Sequence, residues 1–142
     1  MKTSARNVFR GTVATYTPGS VNAEVVIDLP GGDHLVAIVS LVSATDLGLA
    51  PGREVFALVK APWVIVLTDA SDVRLSARNC LAGTVSAVEV GAVNAEVGIE
   101  LPSGTIVSAI VTRDAVTELG LKPGVAATAV IKASHVILGV PK

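Results

Sequence analysis

The chain has 142 residues, 51% hydrophobic but only 3% aromatic, and 11 basic against 12 acidic side chains give a net charge of −1. Charges so evenly balanced and interspersed argue against a nucleic-acid binder, which would present a basic face to phosphates. The lone cysteine, Cys80, excludes an intrachain disulfide, and uncharged apolar stretches such as residues 35–45 and 101–112 are shorter than the roughly 18 apolar residues of a membrane span.

Met1-Lys2-Thr3 leads straight into patterned sequence, so no secretory signal is expected and the protein reads as cytoplasmic. Residues 8–16 form the first predicted strand. Gly19-Ser20-Val21-Asn22 is a turn, after which Val21, Ala23, Val25, Ile27 and Leu29 alternate with Asn22, Glu24, Val26 and Asp28. That period of two marks a half-buried strand. Pro30-Gly31-Gly32-Asp33 turns it into a hairpin with residues 34–41. A short helix follows, capped by Ser40 and stopped at Gly48, and Pro51-Gly52 leads into strands at 53–60 and 64–67. Residues 68–75, with Asp69, Asp72 and Arg74, are polar and read as a linker.

The order then begins again. Ser4-Ala5-Arg6-Asn7 returns as Ser76-Ala77-Arg78-Asn79, 72 residues on, and Val21-Asn22-Ala23-Glu24-Val25 returns as Val93-Asn94-Ala95-Glu96-Val97. Leu47-Gly48-Leu49, Pro51-Gly52 and Lys60-Ala61 recur at the same spacing, without a gap, and about half the aligned positions are identical. In the second copy Thr112 is the helix cap, with Asp114 in the first turn and Gly120 as the stop. A long period seen only twice is a duplicated domain rather than a solenoid. The expected organisation is a first domain over residues 1–68, a linker over 69–75 and a second domain over 76–142. About five short strands and one helix in each predict an all-β protein of two tandem OB-like five-stranded β-barrels. Domains so small and so rich in aliphatic residues predict further burial between the halves or between subunits, and an oligomer is expected.

Enzymatic constellations are missing. His34 and His135 fall at different repeat positions, and one cysteine without clustered carboxylates gives no metal-cation site. Cys80 aligns with Val8 and is expected to be a small core residue. Glu24 and Glu96 recur, but each stands alone in a strand. What does recur is a donor set: Ser4 and Ser76, Arg6 and Arg78, Lys60 and Lys132, beside the small residues Ala5, Ala61, Ala77 and Ala133. Ser20, Val21 and Asn22, with Ala92, Val93 and Asn94, could add turn amides as an anion nest. Donors without acceptors suit a fully ionised oxyanion. The plain alternative is that the serines cap strand ends and the lysines are surface charges.

Ser-Ala-Arg-Asn, Gly11-Thr12-Val13 and Gly83-Thr84-Val85, the Val-Asn-Ala-Glu-Val strand and the Lys-Ala-x-x-Val ending together resemble the molybdate-binding Mop domain. Two in tandem resemble a di-Mop molbindin. The resemblance implies a homotrimer that binds molybdate, or its mimic tungstate, in the cytoplasm for storage and homeostasis. From the residues themselves no organic cofactor, no membrane partner and no catalysis are expected. Interface sites would use Ser4, Ala5 and Arg6 with Lys60 and Ala61, and their repeats Ser76, Ala77, Arg78, Lys132 and Ala133. Ser43 matches a position whose hydroxyl reaches the anion, and Ala115 replaces it in the second copy. Threefold-axis sites would lie at the turns around Asn22 and Asn94.

Molybdate carries no proton at neutral pH, so a pocket lined only by donors satisfies it, whereas the proton of monohydrogen phosphate finds no acceptor there. Sulfate must be rejected by cavity size. Two readings compete with storage. The same domain pair forms the effector-binding part of a molybdate-responsive transcription regulator, so a sensing module acting through a protein partner is one, although no preceding helix-turn-helix is expected here. An OB-type single-strand binder is the other. It would need aromatic platforms in a cationic groove, and Phe9, Tyr16, Phe56 and Trp63 are few and do not recur as aromatics.

Overall fold

The computed structural model describes residues 1–142. Each copy contributes a long strand, a hairpin, a short helix, a further strand, a single 3-10 turn and a last short strand. In the first copy these are β1 (Asn7–Pro18), β2 (Asn22–Asp28), β3 (His34–Ser40), α1 (Leu41–Asp46), β4 (Glu54–Val59), a turn at Ala61–Trp63 and β5 (Ile65–Leu67). In the second they are β6 (Asn79–Val90), β7 (Asn94–Glu100), β8 (Ile106–Thr112), α2 (Arg113–Leu119), β9 (Ala126–Ile131), a turn at Ala133–His135 and β10 (Ile137–Gly139).

The chain folds into two compact units, each built on an antiparallel five-stranded sheet. Their strand orders are β10-β4-β1-β2-β3 and β5-β9-β6-β7-β8. In the first, β1 pairs with β4 from Asn7 to Thr12 and with β2 from Thr12 to Pro18, so one long strand serves two neighbours. A bulge between Val13 and Thr15, repeated between Val85 and Ala87, bends the strand where it changes partner. The bend brings the sheet edges β3 and β10 together, and β8 and β5 likewise, which curls each sheet into an OB-like barrel. The recurring Gly11 follows from this curl. A Cβ there would lie 2.6 Å from the Asp28 carbonyl oxygen, and one at Gly83 would press on that of Glu100. Alternation fills the barrels with small aliphatics: Val25, Ile27, Leu35, Ala37, Val55 and Val59 in one, and Val97, Ile99, Val107, Ala109 and Ile131 in the other.

The compact units are not the sequence halves. One comprises Met1–Val59 with Lys132–Lys142, and the other Lys60–Ile131. The copies exchange their last strands: β10 pairs with β4, Ile137 opposite Leu58, and β5 pairs with β9, Ile65 opposite Val130. The residues read as a linker lie inside the second unit, and Asp69 there takes a positive φ of 54°.

Cys80 is exposed rather than a core residue, its thiol 3.6 Å from the Ala77 carbonyl. It stands on β6 between buried Asn79 and half-buried Leu81, and its counterpart Val8 is exposed as well. The helix caps are Ser40 and Thr112 as expected. Gly120 is a left-handed C-cap, whereas α1 ends on Leu47 with left-handed Gly48 one residue later. No helix is long and apolar enough to cross a membrane.

Candidate functional site

Two buried asparagines organise the repeated donor residues. Asn7 and Asn79 are each only 2% exposed, and neither lacks a partner. Asn7 stands opposite Val59 at the last rung of the β1–β4 ladder, and Asn79 opposite Ile131 at the last rung of β6–β9. Ser4-Ala5-Arg6 and Lys60 are therefore the residues that run off the two strands at that end. Ser76-Ala77-Arg78 and Lys132 do the same in the second copy. The motif Ser-Ala-Arg-Asn thus has a fixed end and a presented end. Its asparagine is an anchor that residue type alone did not reveal, although its inward parity with Phe9 on β1 could have.

Beyond each lysine the chain closes a tight turn. The Trp63 amide donates to the Lys60 carbonyl at 2.9 Å, and the His135 amide to that of Lys132 at 2.9 Å. Ala61 and Ala133 are buried, which pins the turns while Lys60 and Lys132 stay exposed. Within the first unit the turn Ala133–His135 packs against β3, the strand that leads to Ser43. Within the second, Ala61–Trp63 packs against β8, which leads to Ala115.

The two donor sets differ in detail. Lys60 Nζ lies 5.5 Å from the centre of the Trp63 ring, whereas His135 holds the corresponding place after Lys132. The Ala5 amide donates to the Thr3 hydroxyl at 3.0 Å, and Leu75 in the second copy offers no such group. Ser40 Oγ accepts the Ser43 amide at 3.1 Å and donates its proton to Ser43 Oγ at 2.8 Å. The hydroxyl proton of Ser43 is thereby directed away from the cap. In the second copy Thr112 Oγ1 accepts the Ala115 amide at 3.1 Å, and there is no second hydroxyl.

Ser4, Arg6, Ser76 and Arg78 are exposed, while Ala5 and Ala77 are half-buried. None of these groups is a carboxylate, so the set can stabilise negative charge. The turns around Asn22 and Asn94 form a second group, with Ser20, Val21, Ala92 and Val93 exposed. There the Gly19 and Gly91 amides donate inward to the Asn22 and Asn94 carbonyls at 2.8 Å, and the Val21 and Val93 carbonyls accept from Leu41 and Arg113. Gly19 and Gly91 do not supply nest amides.

Other features suit an anion less. A surface depression of about 680 Å³ passes over Gly11 and Asp28 to Glu54, and one of about 400 Å³ holds Glu100 in the second copy. Carboxylates in both disfavour an oxyanion. His34 Nδ1 is paired with Asp28 at 2.6 Å on the exposed hairpin. Glu24 and Glu96 are half-buried in β2 and β7 and already engaged.

A model of the TOBE domain matches residues 3–66 and again 75–138. The chain belongs to the TOBE-domain family. A solved structure similar to this TOBE pair is the cytoplasmic molybdate-binding protein ModG with molybdate bound. It is 63% identical, the match covers 99% of this chain and 100% of that one, and the TM-score is 0.96. That likeness sets the pair with the Mop and ModG proteins, which bind ligands rather than catalyse reactions. Curated relatives include the molybdenum-pterin-binding protein MopA of Rhodobacter capsulatus, 48% identical over 99% of this chain. Another is the molybdenum transport protein ModE of Azotobacter vinelandii, 49% identical over 99%. The TOBE pair spans about half the length of these curated relatives, 53% and 52%. The family matches follow the repeat in sequence, not the compact units, because strand exchange leaves the order of residues untouched.

Proposed function

We propose that this tandem TOBE protein binds molybdate, and tungstate as its near-isostere, as a cytoplasmic molybdenum store. The observation that carries the reading is the 63% identity to molybdate-bound ModG over the full length of both chains. The duplicated donor set adds a physical reason. Ser4, Ala5 and Arg6 with Lys60 and Ala61, and Ser76, Ala77 and Arg78 with Lys132 and Ala133, offer hydroxyls, amides and cations and no acceptor carboxylate. A protonated oxyanion would leave its own donor unpaired, at a cost of about 1–3 kcal/mol.

Exposure of these donors on one chain fits sites completed by a second subunit, and we assign the oligomer as a homotrimer. Val21 and Val93, 72% and 74% exposed at the two hairpin turns, supply apolar surface for that contact, beside Asn22 and Asn94 as threefold-axis sites. An anion held between subunits stabilises only the assembled form. A second reading has its own support, since the relatives include the DNA-binding transcriptional dual regulator ModE of Escherichia coli, 36% identical over 97% of this chain. On that reading the pair senses molybdate for a protein partner.

Calorimetric titration of anion-stripped protein with molybdate, tungstate, sulfate and phosphate tests the proposal. Tight binding of more than one molybdate per chain, matched by tungstate but not by phosphate, supports a store. Fewer than one per chain favours the sensor, and no binding refutes both.

A further inference from the structure

The two lysines of the repeated donor set do not stand in equivalent surroundings. Lys60 is exposed, yet its ammonium lies 5.5 Å from the centre of the Trp63 ring, within cation–π range. Trp63 is the only tryptophan in the chain and is half-buried in the 3-10 turn that begins at Ala61. Lys132 begins the matching turn, but His135 stands where the indole would be. The difference lies in the side chain, because the two turns have the same backbone. The cap before the first is at φ −70° and ψ 133°, and that before the second at φ −67° and ψ 132°.

We infer that Trp63 is a positioning residue for Lys60: its ring fixes the ammonium before an oxyanion arrives, so the Lys60 class of anion site is the better preorganised of the two. This rests on the anion-binding reading above. A lysine side chain loses much rotamer freedom when it is held against a ligand. One already resting on an aromatic face has lost part of that freedom, and the ammonium still has hydrogens to turn away from the ring toward an acceptor. The tether also falls where it has most to offset. The Lys60 turn packs against β8, whose following helix carries Ala115 in place of Ser43.

The test is titration with molybdate of the full-length protein and of Trp63→Leu, Trp63→Phe, Trp63→His and Lys60→Ala. Trp63→Leu is expected to weaken the sites lost in Lys60→Ala by on the order of three- to tenfold and to leave the remaining sites unchanged. Trp63→Phe, which keeps a ring, restores most of the affinity. Trp63→His, carrying the residue native to the other turn, is expected to weaken the same sites as Trp63→Leu and keeps the comparison available if the leucine variant unfolds. In the unsubstituted protein, the Lys60 ε-methylene protons are expected upfield of those of Lys132 by ring current. Unchanged affinity in every Trp63 variant, while Lys60→Ala loses sites, overturns the inference alone. Unchanged affinity in Lys60→Ala as well overturns the site assignment and the inference with it.

Discussion

Strand exchange makes a prediction that the order of residues would not suggest. Leu138 lies four residues from the end of the chain, in the second sequence copy, yet it is 8% exposed in the first unit and stands opposite Ala57 on β4. Leu138→Ala removes most of a buried aliphatic side chain. Such losses span about 2–5 kcal/mol, and a three-residue strand at the sheet edge can relax toward the gap, so about 2–3 kcal/mol is expected. Because β10 pairs only with β4, the cost falls on the unit that contains β1 to β4. Hydrogen exchange read by mass spectrometry should show amides in β1, β2 and β4 opening roughly 30- to 150-fold more often. Amides in β6, β7 and β9 should stay close to their original rates. The mirror substitution, Val66→Ala on β5, removes a smaller buried side chain and should loosen β9 and β6 by about 1.5 kcal/mol instead. Faster exchange in β6 to β9 after Leu138→Ala, with β1 to β4 unaffected, would refute the exchange.

Lys60→Ala and Lys132→Ala should each remove one class of bound molybdate and leave secondary structure intact. A charge-assisted bond is worth about 1.5–3 kcal/mol, so calorimetry should show each affected class weakened at least tenfold. Ser43→Ala should weaken one class about fivefold, as for a neutral hydrogen bond, while Ala115→Ser should strengthen the other; a Ser43→Ala titration identical to the parent would remove the hydroxyl from the site. Gly83→Ala forces a methyl group against the Glu100 carbonyl. It should cost about 1–3 kcal/mol by overpacking, read as a lower thermal midpoint, and an unchanged midpoint would show that the strands can part there without penalty.

Much of the architecture was legible because period-two alternation is local. Of the residues expected to face inward, Ala23, Val25, Ile27 and Leu29 are buried, whereas Val21, in the turn before β2, is 72% exposed, and the caps Ser40 and Thr112 act through bonds to residues only three positions away. Partner choice is not local. Nothing in the Ile65–Leu67 segment distinguishes β9 from β4 as its neighbour, because the two copies are so alike that either ladder satisfies the same pattern. The turn at Ala61–Trp63 is not legible for a different reason: three residues, Pro62 among them, between two β-branched runs read as a gap. At Cys80 parity along the strand prevails over residue type. Asn79 faces inward and its neighbour must face out, whatever the usual habit of cysteine. The donor set itself was legible only as a repetition. Its grouping depends on the ladder ends at Asn7 and Asn79, which are products of long-range pairing.

The exchange also changes which differences between the copies act together. By order along the chain, Ser43 belongs with Lys60 and Trp63, and Ala115 with Lys132 and His135. By packing, the Lys132 turn lies against β3, which leads to Ser43, and the Lys60 turn lies against β8, which leads to Ala115. One unit therefore combines the extra hydroxyl with an untethered lysine, and the other combines the tethered lysine with no hydroxyl. Each lacks one aid and has the other. A neutral hydrogen bond and the partial ordering of one lysine are both worth on the order of 1 kcal/mol, so the two classes of site should differ little in affinity despite their different chemistry. Removing either aid alone should separate them. Ser43→Ala and Trp63→Leu should split a nearly single binding isotherm in opposite directions, and the double variant should bring the two classes back together at lower affinity.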